Sequence, residues 1–142
     1  MMIRGEFFIP GTLPGWNDLL KWKGGQKRSG WNRYNDTKGK KEQVISLYAR
    51  DMPKFPGRVT IWYEFYEPTQ RRDPSNFTGG GVKLIEDALV HSGILQGDGW
   101  AHIAAFHVNW RLSKTNPGVR VTILGEETAS AGIHGSAKDS DG

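Results

Sequence analysis

Hydrophobic and polar positions change rhythm along the chain, and each rhythm predicts an element. Residues 59–66 alternate strictly: Val59, Ile61, Tyr63 and Phe65 fall on one side, Thr60, Trp62, Glu64 and Tyr66 on the other. A period of two is that of a half-buried β-strand. Val82, Ile85 and Leu89, with Ala88 beside them, share one helical face that stops at Ser92-Gly93, where glycine suits the position just past a helix end. Lys41, Val44, Leu47 and Tyr48 predict another helix within residues 40–50, closed by Pro53. Apolar runs at 3–9, 102–111 and 119–124 predict three further strands, the first closed by Pro10-Gly11. The last two, joined by the turn at 114–118, are expected to form a hairpin. Residues 11–39 are rich in Gly, Asn, Trp and Lys without a clear period, and read as a long functional or mobile loop.

The element order β-α-β-α-β-β implies an α+β fold, a small mixed sheet with two main helices packed on it. A chain of 142 residues suits one domain with one core. That domain is expected over residues 1–125, with the Ala/Gly/Ser/Asp-rich segment 126–142 as a disordered tail.

Composition narrows the function classes. There is no cysteine, which excludes disulfides and fits a reducing compartment. Residues 1–10 contain no apolar run long enough for a signal peptide or a membrane span, so a cytoplasmic protein without membrane contact is expected. Residues 1–58 hold twelve Lys+Arg against five Asp+Glu, a net +7, which leaves −3 for the rest of a chain whose net charge is +4. A basic half beside a mildly acidic half suggests a polyanion-binding surface next to an acidic site. In the basic half Lys21, Lys23, Lys27, Arg28, Arg33, Lys38, Lys40 and Lys41 interleave with Trp16, Trp22, Trp31 and Tyr34. Such cations hold phosphates and release counterions, and the aromatics either stack on unpaired bases or anchor the loop to the core.

Candidate chemistry gathers between Arg71 and Trp100. Asp73 leaves the end of the alternating strand, where Pro74 forces the chain out of it, and Asp98 sits between two glycines before the next strand. Neighbouring strand ends in one sheet would bring the two carboxylates together as a hard oxygen site for Mg²⁺ or Mn²⁺. Taken singly, each aspartate is equally a turn former. Arg71 and Arg72 stand beside them, suited to bidentate phosphate contact. Gly79-Gly80-Gly81 is expected just before a helix, as a hinge or a phosphate-receiving helix start. The four histidines, His91, His102, His107 and His134, show no zinc spacing.

Arg71-Arg72-Asp73-Pro74-x-Asn76, then Lys83, Asp87-Ala88-Leu89, Gly93-Ile94-Leu95 and Asp98-Gly99-Trp100, resembles the RusA family of Holliday junction resolvases. The opening Ile9-Pro10-Gly11-x-Leu13-Pro14-Gly15-x-Asn17 is similar too, so the resemblance spans roughly residues 3–124. It implies a homodimeric, Mg²⁺- or Mn²⁺-dependent endonuclease that cuts symmetrically across four-way DNA junctions in recombination and repair. By position it implies that Asp73 and Asp98 are catalytic metal ligands and that Lys83 assists by stabilising charge on the phosphate. The family's second carboxylate position is Ser75 here, a neutral oxygen, and there is extra length around the three glycines. Glu67, Glu86 and Asp87 lie near enough in sequence to compensate. Two other functions follow from the same residues: a junction-binding protein that does not cut, favoured by Ser75, and a single-strand-binding module built on the Trp- and Lys-rich N-terminal third.

Overall fold

The computed structural model describes residues 1–15, 17–20 and 28–128, with residues 28–36 described through their backbone. Among the described residues the main elements are, in order, β1 (Met2–Pro10), α1 (Arg28–Tyr48), β2 (Val59–Glu67), α2 (Pro74–His91), β3 (Ile103–Leu112) and β4 (Gly118–Glu126), with a further short helical stretch at residues 17–20. This is the α+β order expected. The four strands form one mixed sheet in the order β1-β4-β2-β3. β4 runs antiparallel to β1 and β2, and β2 runs parallel to β3.

The alternation in β2 does what its period demands. Val59, Ile61, Tyr63 and Phe65 are buried, and the intervening Trp62, Glu64 and Tyr66 are not. Val119, Val121 and Ile123 of β4 and Phe7 and Ile9 of β1 extend the same buried face. The helices cover that face through Ile45 of α1, with Ala49 just past its end, and through Phe77, Leu84, Ile85, Ala88 and Leu89 of α2. The opposite face carries Arg4, Glu6, Arg120 and Thr122, joined by hydrogen bonds and ion pairs around Glu6. The fold is therefore two layers, helices on one side and an open sheet face on the other.

Three expectations need correction. The last two strands form no hairpin: β4 crosses to the far side of β2 and pairs there and with β1. The turn after β3 fixes only the reversal of direction. β2 is thereby a central strand, with β4 on one edge and β3 on the other. The segment expected as an aperiodic loop is helical from Arg28 onward, which makes α1 21 residues long. Its Gly30, Asn32, Asn35, Asp36 and Gly39 are poor helix formers and hide the period. The three glycines lie inside α2, because the helix starts at Pro74, where proline is well placed in a first turn. A Cβ on Gly81 would stand 2.6 Å from the Phe65 ring, so this glycine sets how closely helix and sheet approach. Gly93, with φ +82, ends α2 as expected. Strand β4 reaches Glu126, and residues 129–142, most of the expected tail, lie outside the described residues.

Candidate functional site

The β2-α2-β3 unit positions the candidate residues. Asp73 precedes α2 at the end of the sheet where β2 finishes, and Asp98 precedes β3 at the end where β3 starts. Because β2 and β3 are parallel, those are opposite ends. α2 spans the distance between them, 18 residues that rise about 27 Å at ~1.5 Å each. One copy of the chain does not bring Asp73 and Asp98 together. The expectation of neighbouring strand ends holds for antiparallel strands, and strand direction is not written in the local sequence.

At the Asp73 end lies a cleft of about 420 Å³, lined by Glu67, Arg72, Asp73, Phe77, Trp110 and Arg111 among others. Asp73 is the N-cap residue of α2 with extended backbone (φ −72, ψ 142), yet its side chain makes no capping hydrogen bond and is exposed. Its carboxylate is thus free beside a cationic wall. Arg72 is committed to the scaffold. Its Nε and Nη2 donate to the two carboxylate oxygens of buried Glu67 at 3.1 and 2.9 Å, and Nη1 donates to the Leu13 carbonyl at 2.7 Å. The guanidinium also lies over the Phe77 ring. Arg71 is exposed, so of the two arginines it has the freer guanidinium for a phosphate. Ser75 is exposed in the first turn of α2. Asn76 accepts the Asn17 backbone N–H at 2.7 Å. The 13–17 opening and the 71–76 motif, far apart in sequence, therefore meet in space.

At the Asp98 end a cleft of about 410 Å³ is lined by Arg58, Glu86, Asp98, Trp100, Ile103 and Phe106, among others. Burial holds the Glu86 carboxyl above the ordinary carboxylate value; the hydroxyl of Tyr63, donating at 3.2 Å, pulls the other way, and the charge of Asp98 adds to the rise. Arg58 has its Nε buried without a hydrogen-bond partner. Of the three acids expected to compensate for Ser75, Glu67 is taken by Arg72 and Asp87 by Lys38, whose Nζ lies 2.8 Å from Oδ2. Glu86 alone shares a cleft with Asp98. Lys83 lies between the two ends, half-exposed, 3.3 Å from Asp87 at i, i+4, and lines a third cleft with Thr78, Val82, Glu86, Phe106 and Val108.

The DNA-contact candidates are spread along the first third. Lys40 and Lys41 are exposed on α1, and Arg28 and Arg33 belong to the same helix. Lys21, Lys23 and Lys27, like Trp16 and Trp22, lie outside the described residues. Lys38 is turned inward, bridging Asp87 and Glu42, which itself meets His91 at 2.7 Å. His107 stacks on Trp62 on the open sheet face.

The donor types suit a hard cation, but among the described residues no three His, Cys, Asp or Glu side chains of one copy are grouped to hold one. The described residues offer two separate clusters at opposite ends of the sheet, an exposed carboxylate among arginines and the Glu86 and Asp98 carboxylates beside Arg58 and Trp100. Sequence reasoning missed Arg58 and undervalued Glu86; the inward register of Glu86 on α2, one position before the Asp87 ion pair, was the available signal. Among the described residues no helix is long and apolar enough to cross a membrane. Set against known protein families and curated proteins, the chain matches none.

Proposed function

We propose that the protein is a Mg²⁺- or Mn²⁺-dependent endodeoxyribonuclease that acts as a homodimer on four-way DNA junctions, in the manner of the RusA resolvases it resembles. The observation that carries the reading is Asp73. An N-cap aspartate that declines its capping hydrogen bond, set in a cleft with arginines, keeps a charged oxygen ligand free at a place where phosphate would be attracted. Asp98 is the second ligand, Ser75 a neutral oxygen at the weakened position, and Lys83 a cation between them. Lys40, Lys41 and Arg71 supply phosphate contacts, with Lys21, Lys23, Lys27, Arg28 and Arg33 adding to the basic third.

The test is cleavage of a synthetic four-way junction with Mg²⁺ or Mn²⁺ by the native chain, Asp73→Asn and Ser75→Asp. Paired symmetric nicks by the native chain, abolished in Asp73→Asn, support the reading. A native chain that binds junctions without cutting, alongside a Ser75→Asp variant that cuts, supports the second reading, a junction-binding protein of the same fold. Ser75 is the observation that favours it. A preference for single strands over junctions overturns both.

A further inference from the structure

The cleft at the Asp98 end holds charges that do not meet. β2 and β3 run parallel and start at the same end of the sheet, so Arg58, just before β2, and Asp98 to Trp100, just before β3, arrive there together. Glu86 joins them from the later half of α2. Among the described residues Arg4, Arg72, Arg111 and Arg120 each have a carboxylate partner. Arg58 has none, and its Nε is buried without an acceptor, although two acids line the same cleft. A buried N–H left in that state is unfavourable, and it marks a place where an acceptor from outside is held tightly. Glu86 is half satisfied in the same way: Oε2 accepts the Tyr63 hydroxyl at 3.2 Å, and Oε1 meets no donor among the described residues. Aromatic faces complete the walls, Trp100 at 97% exposure and Phe106 at 52%. An indole that open contributes nothing to the core, and Gly99 before it stands in open space.

The cleft, about 410 Å³, lies within the ~300–1,000 Å³ range of small-ligand pockets. Its mixed charge decides what it fits. A simple anion would answer Arg58 but be repelled by Glu86 and Asp98. A simple cation would answer the acids and leave the Arg58 Nε without an acceptor. The fitting occupant carries acceptors on one edge, donors on another, and a flat face for the indole. Guanine has all three. O6 and N7 are adjacent acceptors for a guanidinium fork, N1–H and N2–H are adjacent donors for a carboxylate, and the ring stacks on tryptophan. Adenine presents a donor where guanine presents O6, and pyrimidines have no N7.

We propose that this cleft is a guanine-binding site, in which Arg58 donates to O6 and N7, Glu86 accepts from N1–H and N2–H, and Trp100 stacks on the ring. The carboxylate needs the edge of guanine that pairs with cytosine, so guanine within a duplex does not fit. The ligand is therefore a free guanine nucleotide or an unpaired guanine in a strand, and both present the same chemistry to the cleft. The site stands on Arg58, Glu86 and Trp100 and does not depend on the nuclease reading.

The test is binding in a chelator, so that neither metal nor cleavage contributes. GMP and AMP are titrated by calorimetry, and a labelled oligothymidylate with one central guanine or adenine by fluorescence anisotropy. The wild type is expected to bind the guanine form of at least one probe about tenfold more tightly than the adenine form. GMP alone binding identifies a free nucleotide as the ligand, the oligonucleotide alone identifies a strand, and either result supports the site. Trp100→Ala, too exposed to disturb the fold, should weaken guanine and adenine alike by about tenfold, because stacking tolerates any base. Base analogues tie each residue to its atom. 7-Deazaguanine, without N7, should cost the wild type about fivefold and Arg58→Gln nothing; hypoxanthine, without the N2 amino group, should cost the wild type about fivefold and Glu86→Gln nothing. These matched losses are read within each variant, so a general change in its stability does not imitate them. No guanine preference in either probe, analogue penalties that persist in the variants, or full binding by Trp100→Ala overturns the proposal. Junction cleavage is measured separately, so a failure here leaves the nuclease reading as it stood, and a failure there leaves this site.

Discussion

Arg72 clasps Glu67 through two parallel N–H donors, at 3.1 and 2.9 Å, and passes a third to the Leu13 carbonyl. This pair pins the N-terminal segment to the end of β2 and forms one wall of the Asp73 cleft. Glu67 is a buried polar side chain, so the loss of Arg72 leaves an uncompensated carboxylate. Arg72→Ala is expected to cost about 3 kcal/mol in urea unfolding, near the lower end for breaking a buried pair. The double variant Arg72→Met, Glu67→Leu should recover much of that loss. A double-variant cost equal to the sum of the single ones would remove the coupling.

Asp73 separates function from stability. Asparagine caps a helix as well as aspartate, and the native carboxylate makes no cap bond to lose. Asp73→Asn should therefore leave the urea midpoint nearly unchanged, within about 0.5 kcal/mol for an exposed site. Junction nicking should fall by about two orders of magnitude or more, the scale of several kcal/mol of charge stabilisation.

Ser75 should respond in the opposite sense. The first turn of α2 holds no acidic residue, and its N–H groups favour one. Ser75→Asp is expected to stabilise the fold by about 0.3–1 kcal/mol at low salt and to raise nicking tenfold or more. Thermal melts at low and high salt give the first number, because screening removes the helix-end term.

Two glycines of one helix should answer alanine differently. Gly79 faces open space, so Gly79→Ala gains helix propensity of about 0.8–1.0 kcal/mol. Gly81 faces the Phe65 ring, with a new Cβ only 2.6 Å from it, so Gly81→Ala should destabilise by about 1–3 kcal/mol, the usual cost of overpacking. Equal effects at the two positions would show that α2 does not pack this way.

Glu86 gives a pH signature, read in a chelator so that metal binding does not intervene. Its folded pKa is raised above 4.5, chiefly by burial. Such a group favours the folded state below its unfolded pKa and loses that advantage as pH rises through the folded value. Glu86→Gln should then melt higher than wild type at pH 7, with the gap closing below about pH 4.5, the unfolded carboxylate range. A constant gap across the range would place the effect in packing.

How much of this was legible depended on the range of the interactions. The alternation at Val59, Ile61, Tyr63 and Phe65 and the Ile85, Ala88 and Leu89 face of α2 are local amphipathic patterns, legible as strand, helix and core, whereas buried Leu84 of the same helix was not singled out. The first half of α1 was hidden because its Gly30, Asn32, Asn35 and Gly39 favour turns and interrupt the apolar period. The insertion of β4 between β1 and β2 is non-local, and the turn at 114–116 would have served a hairpin equally well. The site was half legible. Asp73 and Asp98 stood out as residues, but their separation follows from β2 and β3 running the same way, and that depends on where α2 lays the chain down.

The place of β4 also bears on how the chain folds. Among the described residues β1 pairs with β4 alone, and Met2 opposite Glu126 is the longest-range of their strand pairings. On a ribosome β1 stays unpaired until synthesis has passed β4. The β2-α2-β3 unit, with its shorter separations, can assemble first. This is a fold of high contact order, and its sheet closes last at β4, one of its two central strands.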